Sequence, residues 1–213
     1  MTHSTIHNST QYYSKYPYTN CLLISSDPTD ATSKQVLLLN RQKKPWMGNW
    51  NGIGGKLESH RDSTPLIGAQ REIREESGLP YPETQITDLR CCGIMEWYMM
   101  FRYQGKEKVE LKDESEVNEE DVRGMYIFVG TVRPEDREKY ISTPKSFDEG
   151  ILDWKNVDWI LDDENLGIVK NVKLALPWVL SGEADENSLF KAYFSDLNVV
   201  SEVRFVKDGL LKK

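Results

Sequence analysis

The chain has 213 residues, of which 38% are hydrophobic and 29% charged, so its composition is that of a folded protein with one domain or at most two. Its 27 basic and 34 acidic residues give a formal net charge of −7, which argues against a nucleic-acid polymer or an anionic membrane as partner. Three cysteines, two of them adjacent, favour a reducing compartment over a disulfide framework. Three histidines leave little material for a catalytic triad or a histidine-rich zinc site.

The first segment, residues 1–16, is polar and is predicted to be a flexible tail. It has neither the apolar core of a secretory signal nor the arginines of a transit peptide. Residues 17–213 are then predicted to form a single domain. Because no apolar run approaches the ~20 residues of a membrane span, we expect a soluble protein of the cytoplasm, with the nucleus and mitochondrion as alternatives.

A hairpin and a helix are predicted next. Residues 21–24 and 36–39 are apolar runs joined by a Ser-, Asp- and Pro-rich connection, a pattern typical of two paired strands. After a glycine-rich segment, a helix is predicted over residues 65–77, because Pro65 occupies the first turn and Gly78 follows the last. The N-cap candidates are Ser63 and Thr64.

The remaining elements indicate an α/β protein. A charged stretch at residues 105–121 is predicted to be a solvent-exposed excursion. Apolar periodicity predicts strands at residues 91–103, 125–132, 151–154, 190–194 and 199–206, and helices at residues 157–161 and 169–180. We therefore predict one α/β domain in which a mixed β-sheet lies between helices.

Three carboxylates, Glu72, Glu75 and Glu76, share one face of the predicted helix. Like charges at this spacing repel by a few tenths of a kcal/mol, and the last turns of a helix disfavour each anion by roughly 0.3–1 kcal/mol. Magnesium, which prefers carboxylate oxygens and bridges protein to phosphates, would offset both effects. A solvated acidic face is the alternative. The glycine-rich loop with Lys56, just upstream, favours a site where phosphate and metal meet.

Residues 71–79, Arg-Glu-Ile-Arg-Glu-Glu-Ser-Gly-Leu, match the second half of the Nudix hydrolase motif at every specified position, and Gly55 stands at its opening glycine. The spacing between Gly55 and Arg71 is two residues longer than in the motif, and Glu58 or Asp62 replaces its early glutamate. On this match the chain resembles the Nudix hydrolases, and the resemblance implies the Nudix fold.

The resemblance implies metal-dependent hydrolysis of a diphosphate linked to another group. It implies that Mg²⁺, or Mn²⁺ in its place, binds to the Gly55 carbonyl and to four carboxylates, those of Glu72, Glu75, Glu76 and Glu149. The implied catalytic residues are Glu72, Glu76, Glu149 and Arg71, which orients the carboxylates. Glu149 lies in an Asp-Glu-Gly segment that, considered alone, is typical of a turn.

Outside the motif, residues 18–206 resemble the MutT-type branch, which hydrolyses oxidised purine nucleoside triphosphates such as 8-oxo-dGTP and so limits DNA damage. The implied partner is a small nucleotide. Arg41 and Lys56 are expected near its phosphates, and Asn51, Trp154 and Asn171 near its base. Each assignment has a plainer alternative. Arg41 could be a solvated surface residue, Asn51 part of an Asn-Gly turn, and Trp154 a core residue.

Two other functions are compatible with these residues. A Nudix pyrophosphatase could cleave a nucleoside diphosphate derivative such as ADP-ribose. A non-catalytic nucleotide-binding module could keep the same fold, but it is expected to lose the motif carboxylates, and Glu72, Glu75 and Glu76 are all present.

Overall fold

Strands of both directions form one nine-stranded sheet in the structure, a computed structural model that describes residues 10–30 and 32–212. A separate hairpin forms a two-stranded sheet. The strands are β1 (Tyr18–Ser26), β2 (Lys34–Arg41), β3 (Trp50–Asn51), β4 (Ile86–Met99), β5 (Phe101–Gln104), β6 (Glu107–Glu110), β7 (Arg123–Val132), β8 (Lys145–Phe147), β9 (Gly150–Asn156), β10 (Leu189–Asp196) and β11 (Val199–Val206).

The order across the large sheet is β11-β10-β4-β7-β1-β2-β9-β8, with β3 paired to β2. Strand β1 is parallel to β7, and β4 is parallel to β10, whereas β1 and β2 are antiparallel. The mixed sheet and the hairpin of the first two strands are therefore confirmed.

Helices cover both faces of this sheet. They are α1 (Thr10–Lys15), α2 (Pro65–Ser77), α3 (Pro82–Gln85), α4 (Pro134–Tyr140), α5 (Val157–Leu161) and α6 (Lys170–Leu180). Short 3₁₀ segments lie at Glu114–Glu116, Glu119–Asp121 and Gly209–Lys212. Within the described ranges, no helix combines the length and the apolar character needed to cross a membrane.

The two larger hydrophobic cores lie on opposite faces of the sheet, because successive side chains of a strand point to opposite faces. The α2-side core includes Leu23, Leu37 and Ile73. The α6-side core includes Leu22, Val36 and Leu176. The sheet therefore lies between helices, as predicted. Because of the same alternation, consecutive side chains of β1 face different cores.

Helix α2 has the predicted bounds and caps. The Oγ1 atom of Thr64 accepts a hydrogen bond from the N–H of Ile67 at 3.2 Å, which satisfies one free donor of the first turn. Gly78 ends the helix with φ 84°, and its N–H donates to the carbonyl of Arg74. The left-handed conformation at Gly78 explains why glycine follows the helix.

The predicted flexible tail over residues 1–16 is wrong for its last part. Thr10–Lys15 forms α1, and Tyr16 is buried with its hydroxyl 2.6 Å from an oxygen of Glu96. The burial of an aromatic ring anchors this segment to β4, and no local pattern in a polar stretch indicates such a contact. Residues 1–9 lie outside the described part of the chain.

The charged stretch at residues 105–121 is largely exposed, as predicted, but it is also structured. Its first part forms β6, which pairs with β5. The single strand predicted over residues 91–103 is divided between β4, which ends at Met99, and β5, which begins at Phe101. Glu114 accepts hydrogen bonds from Lys191 and Tyr193, which attach the stretch to β10.

Candidate active site

A cavity of about 570 Å³ opens beside the C-terminal half of α2. It brings together nine residues that the sequence nominated from widely separated segments. They are Arg41, Asn51, Gly55, Lys56, Glu72, Glu75, Glu76, Glu149 and Asn171. Of the nominated residues, only Arg71 and Trp154 do not line this cavity.

The glycine-rich loop is pressed between β1 and α2. A Cβ atom at Gly54 would lie 2.3 Å from the carbonyl oxygen of Thr19, and one at Gly55 would lie 2.6 Å from Oε1 of Glu72. Gly54 therefore requires glycine for close approach to the backbone, and a side chain at Gly55 would displace the Glu72 carboxylate. The Gly55 carbonyl, an implied metal ligand, accepts the N–H of Thr19 at 2.9 Å and keeps one lone pair for another partner.

Arg71 is buried and uses all five of its N–H donors. Its Nε and Nη2 atoms bind the two oxygens of Asp62 at 3.0 and 2.8 Å, and Nη2 also donates to the carbonyl of Lys56 at 3.0 Å. Nη1 donates to Glu72 at 2.8 Å and to Glu75 at 3.1 Å. The side chain is therefore placed to orient the two glutamates, with no donor left for a substrate.

Asp62, rather than Glu58, is the acidic partner of Arg71 in the lengthened first half of the motif. Glu58 pairs with the exposed Arg61 instead, at 3.2 Å. Burial acts to raise the pKa of Asp62, but the hydrogen bonds from Arg71 and from the N–H of Glu58 outweigh it and keep that pKa below its ordinary value. Asp62 stays charged, so it holds Arg71 in place.

Glu76 is a buried carboxylate whose hydrogen bond, in the described structure, comes from a neutral donor, the N–H of Gly54 at 3.0 Å. Burial raises its pKa to about 8, and the nearby charge of Glu72 adds to the effect, whereas Arg41 opposes it. Burial also raises the pKa of Glu72, although Arg71 opposes that shift. This is the place in the site where a cation would be most stabilising.

Among the described residues, no three His, Cys, Asp or Glu side chains are grouped as a ready metal site. The carboxylates face cationic side chains instead, since Glu75 pairs with Arg61 and Arg71, and Glu149 pairs with Lys43. The donors are nonetheless all hard oxygens on one cavity, and buried Glu76 has no cationic partner within hydrogen-bonding distance in the described chain. This donor set suits Mg²⁺ once the flexible outer pairs rearrange.

Arg41 and Glu149 come together because β2 and β9 are neighbours. Arg41 is paired in register with Gly150, and Glu149 lies in the turn between β8 and β9. The carboxylate of Glu149 is 2.5 Å from Nζ of Lys43. The side chain of Arg41 lines the cavity, and its Nε atom is buried and has no hydrogen-bond partner in the described part of the chain.

Aromatic side chains form the part of the cavity toward α6. Trp46 and Trp97 pack against the α6-side core, and the rings of Tyr18 and Trp97 have centroids 5.8 Å apart. The sequence analysis missed these rings and missed Asn20. Asn20 stands directly before the apolar run of β1 and carries no local signal of a site, and the rings carry none that separates a site from a core.

The two amides expected to read a base are partly occupied. The Oδ1 atom of Asn51 accepts hydrogen bonds from Nδ2 of Asn20 and from the N–H of Gly52, both at 2.9 Å. The Oδ1 atom of Asn171 accepts the N–H of Val172 at 2.8 Å. Each of these amides therefore offers a ligand mainly its NH₂ group.

Trp154 does not contact the cavity, so its expected role at the base is wrong. It is buried in the α2-side core, opposite Leu37 in the β2–β9 pairing. The guanidinium of Arg137 lies 4.4 Å from the centre of its ring. The alternation of β9 directs this side chain into the core, which was the plainer interpretation of a strand tryptophan.

Residues 24–160, more than half of the chain, match the NUDIX domain family. No curated protein sequence matches the chain. Among solved structures, the chain is similar to a MutT protein from Bacillus halodurans, with 22% identity and a TM-score of 0.57 over 88% of this chain and 95% of that one. It is also similar to the NUDIX domain of Shewanella oneidensis NrtR complexed with ADP ribose, with 11% identity and a TM-score of 0.52 over 86% and 99%. Those two likenesses concern the fold, and the family match over residues 24–160 shows that the chain belongs to the NUDIX family of hydrolases.

Proposed function

We propose that the protein hydrolyses purine nucleoside triphosphates, with oxidised purines such as 8-oxo-dGTP as the expected substrates, to the monophosphate and pyrophosphate. The observation that carries this proposal is the division of one cavity between two kinds of lining. Acidic and cationic side chains lie beside α2, and aromatic and amide side chains lie toward α6. A phosphate chain and a purine base need those two environments next to each other.

The phosphates would meet Arg41 at the end of β2 and Lys56 in the glycine-rich loop. Both side chains line the same cavity as the glutamates. The guanidinium of Arg41 suits a phosphate oxygen, because it offers charged N–H donors in a planar arrangement. These contacts are common to all nucleotides, so they contribute affinity without selecting a base.

Five groups would hold the divalent cation, Mg²⁺ or its substitute Mn²⁺. They are the Gly55 carbonyl and the carboxylates of Glu72, Glu75, Glu76 and Glu149. When bound, the cation would neutralise charge on the phosphates and lower the pKa of the attacking water. Arg71 would keep Glu72 and Glu75 in position through the hydrogen bonds that its Nη1 atom donates to them.

Among the carboxylates of the cavity, Glu76 is our candidate for accepting the proton of the attacking water. Its Oε2 atom is engaged by the N–H of Gly54, which leaves Oε1 available. Glu76 lies on the same cavity as the other proposed metal ligands, where an attacking water would be within its reach. Glu72 and Glu149 line the same cavity and would contribute further negative charge around the water.

A second candidate substrate is a nucleoside diphosphate joined to a sugar or to another nucleotide. The NrtR domain that shares this fold is complexed with ADP ribose. The carboxylates and Arg41 would serve either phosphate chain, and the 570 Å³ cavity lies within the range of ~300–1,000 Å³ that small-molecule sites occupy.

The test is a panel of oxidised and unmodified nucleoside triphosphates and of nucleoside diphosphate derivatives that include ADP-ribose, assayed with Mg²⁺. Pyrophosphate and monophosphate are measured separately. Release of pyrophosphate from purine triphosphates is the expected result. Monophosphate from ADP-ribose without pyrophosphate would favour the second candidate, and nucleotide binding without turnover would overturn both in favour of a binding module.

A further inference from the structure

Residues 13–17, the anchor segment, lead into β1 and are attached to two different parts of the fold. On one side they contact β4, where the Tyr16 hydroxyl donates to Oε1 of the buried Glu96 at 2.6 Å. The other oxygen of Glu96 accepts a hydrogen bond from Tyr98 at 2.8 Å, and Nζ of Lys15 lies 3.7 Å from Oε1. These contacts fix the anchor segment to the sheet.

On its other side the anchor segment holds the loop that joins the glycine-rich segment to α2. The N–H of Leu57 donates to the carbonyl of Pro17 at 2.8 Å. Further along the loop, the hydroxyl of Tyr13 donates to the carbonyl of Asp62 at 3.0 Å, and the ring of Tyr13 packs against the α2-side core. Burial and the charge of Asp62 raise the pKa of this hydroxyl above its ordinary value, so it remains a donor throughout the neutral range. The two hydrogen bonds hold both ends of residues 57–62.

Asp62 connects this outer attachment to the active site. Its carboxylate is bound by Nε and Nη2 of Arg71 at 3.0 and 2.8 Å. Arg71 in turn donates to Glu72 and Glu75. A continuous series of hydrogen bonds therefore runs from Tyr13, through the backbone and the side chain of Asp62, to two of the proposed metal ligands.

The loop that Tyr13 holds is also the one in which the chain departs from the motif, because two additional residues separate Gly55 from Arg71. A longer loop loses more conformational freedom when it is fixed in one shape. The attachment from Tyr13 restricts that freedom at Asp62, the residue that binds Arg71. Tyr13 does not line the cavity, so it acts through this loop rather than by contact with a nucleotide.

We propose that Tyr13 is a positioning residue of the active site, an inference that rests on the proposed function. Its hydroxyl holds Asp62 where the carboxylate can bind Arg71. Arg71 then keeps Glu72 and Glu75 in position for the cation. The property that depends on Tyr13 is therefore the affinity for Mg²⁺ or Mn²⁺. Recognition of the base lies in another part of the cavity and should not depend on it.

The test compares Tyr13→Phe with the matched control Tyr140→Phe. The first change removes the hydroxyl that binds Asp62 and keeps the ring. Tyr140 also packs against the α2-side core, but it lies in α4 and does not line the cavity. Binding of Mn²⁺ to the nucleotide-free protein is measured from the electron paramagnetic resonance of the free ion. Tyr13→Phe is expected to weaken it about two- to tenfold, the effect of one lost hydrogen bond, and Tyr140→Phe to leave it unchanged.

Steady-state kinetics with the best substrate of the panel separates positioning from a general loss of structure. For Tyr13→Phe, the Mg²⁺ concentration that gives half-maximal activity should rise by the same factor as the Mn²⁺ dissociation constant. At saturating Mg²⁺, kcat and KM should stay within about twofold of the wild type. A loss of folded protein would instead lower activity at every Mg²⁺ concentration, and the melting temperature in chelator measures it.

A second variant checks the route through Asp62. Asp62→Asn weakens the bond to Arg71, so adding Tyr13→Phe to it should weaken Mn²⁺ binding little further. The melting temperature of Asp62→Asn shows whether it folds, and the comparison of the two tyrosines is decisive without it.

Three results would overturn the inference while hydrolysis by the wild type stands. They are unaltered Mn²⁺ binding by Tyr13→Phe, equal weakening by Tyr140→Phe, and full additivity of the Tyr13 and Asp62 changes. A wild type that turns over no nucleotide would overturn the proposed function, whereas the Mn²⁺ titrations would still decide the role of Tyr13.

Discussion

At the scale of single residues, Arg71 and Glu76 are two buried charges with opposite surroundings. The hydrogen bonds that Arg71 donates to Asp62 and Glu72 outweigh its burial and raise the pKa of its guanidinium, so it is permanently charged and structural. Glu76 has one neutral donor, and burial raises its pKa to about 8. Strongly shifted carboxylates in a cleft mark functional sites, and here the shift points to the residue that a cation would stabilise.

The pKa of Glu76 predicts how the stability of the metal-free protein changes with pH. The folded state holds the proton more tightly than the unfolded chain, whose ordinary value is 4.5, so the free energy of unfolding should fall as pH rises from 4.5 to about 8. The expected loss is at least about 1 kcal/mol, because one pKa unit corresponds to ~1.4 kcal/mol. Melting temperatures in chelator, compared between the wild type and Glu76→Gln, measure it. The Gln variant should show a smaller decline, since only the contribution of Glu72 remains, and an identical decline in both proteins would refute the assignment.

Glu149 provides a second residue-scale prediction. Glu149→Gln should lower kcat more than it changes KM, because its charge is expected to act mainly as charge develops on the phosphate and water. Asp148→Asn is the matched control, since Asp148 is in the same turn but does not line the cavity. Both variants would be measured by steady-state kinetics. An unchanged kcat of Glu149→Gln, or an equal loss of activity in both variants, would show that Glu149 is only a turn residue.

At the scale of elements, the site depends on how tightly the glycine-rich loop fits between β1 and α2. Thr19 and Cys21 pair with Gly55 and Ile53 through backbone hydrogen bonds, so the loop runs alongside the first half of β1 like a short neighbouring strand. The same strand then separates the acidic and the aromatic parts of the cavity by the alternation of its side chains. One strand therefore positions both parts of the proposed nucleotide site.

Gly55→Ala tests this fit. Its Cβ atom would press on the Glu72 carboxylate at 2.6 Å, so we expect a loss of about 1–3 kcal/mol in unfolding free energy and a clear drop in metal-dependent activity. Gly167→Ala is the control, because the nearest atom there is 3.4 Å away, an ordinary contact. Denaturant unfolding and turnover would be measured for both. A fully active, fully stable Gly55→Ala protein would show that the loop is looser than described.

At the scale of the whole molecule, the sequence predicted the features that depend on local patterns. These are the periodicity of apolar residues, the capping residues of a helix, and acidic residues at a helix end that disfavours them. The caps of α2 and the acidic residues in its last turns led to the helix and to Glu72, Glu75 and Glu76. The alternation of apolar and polar residues likewise placed most strands of the sheet.

Contacts between distant segments were the part that the sequence could not supply. Tyr16 is buried against β4 from a polar stretch, and Asp62 rather than Glu58 binds Arg71 because of how the lengthened loop folds. Trp97 and Trp154 are both strand tryptophans, and only the tertiary fold assigns one to the cavity and the other to the core. These distinctions depend on which face of a strand meets which neighbour.

The most direct test of the account is the rate of pyrophosphate release from a purine nucleoside triphosphate with Mg²⁺, compared between the wild type and Glu76→Gln. Loss of a carboxylate that acts on the metal and the attacking water should lower kcat at least roughly hundredfold. The exposed Glu83, which pairs with Arg74 outside the cavity, supplies the control Glu83→Gln, and its activity should be retained. A Glu76→Gln protein that hydrolyses the substrate at the wild-type rate would contradict the central claim.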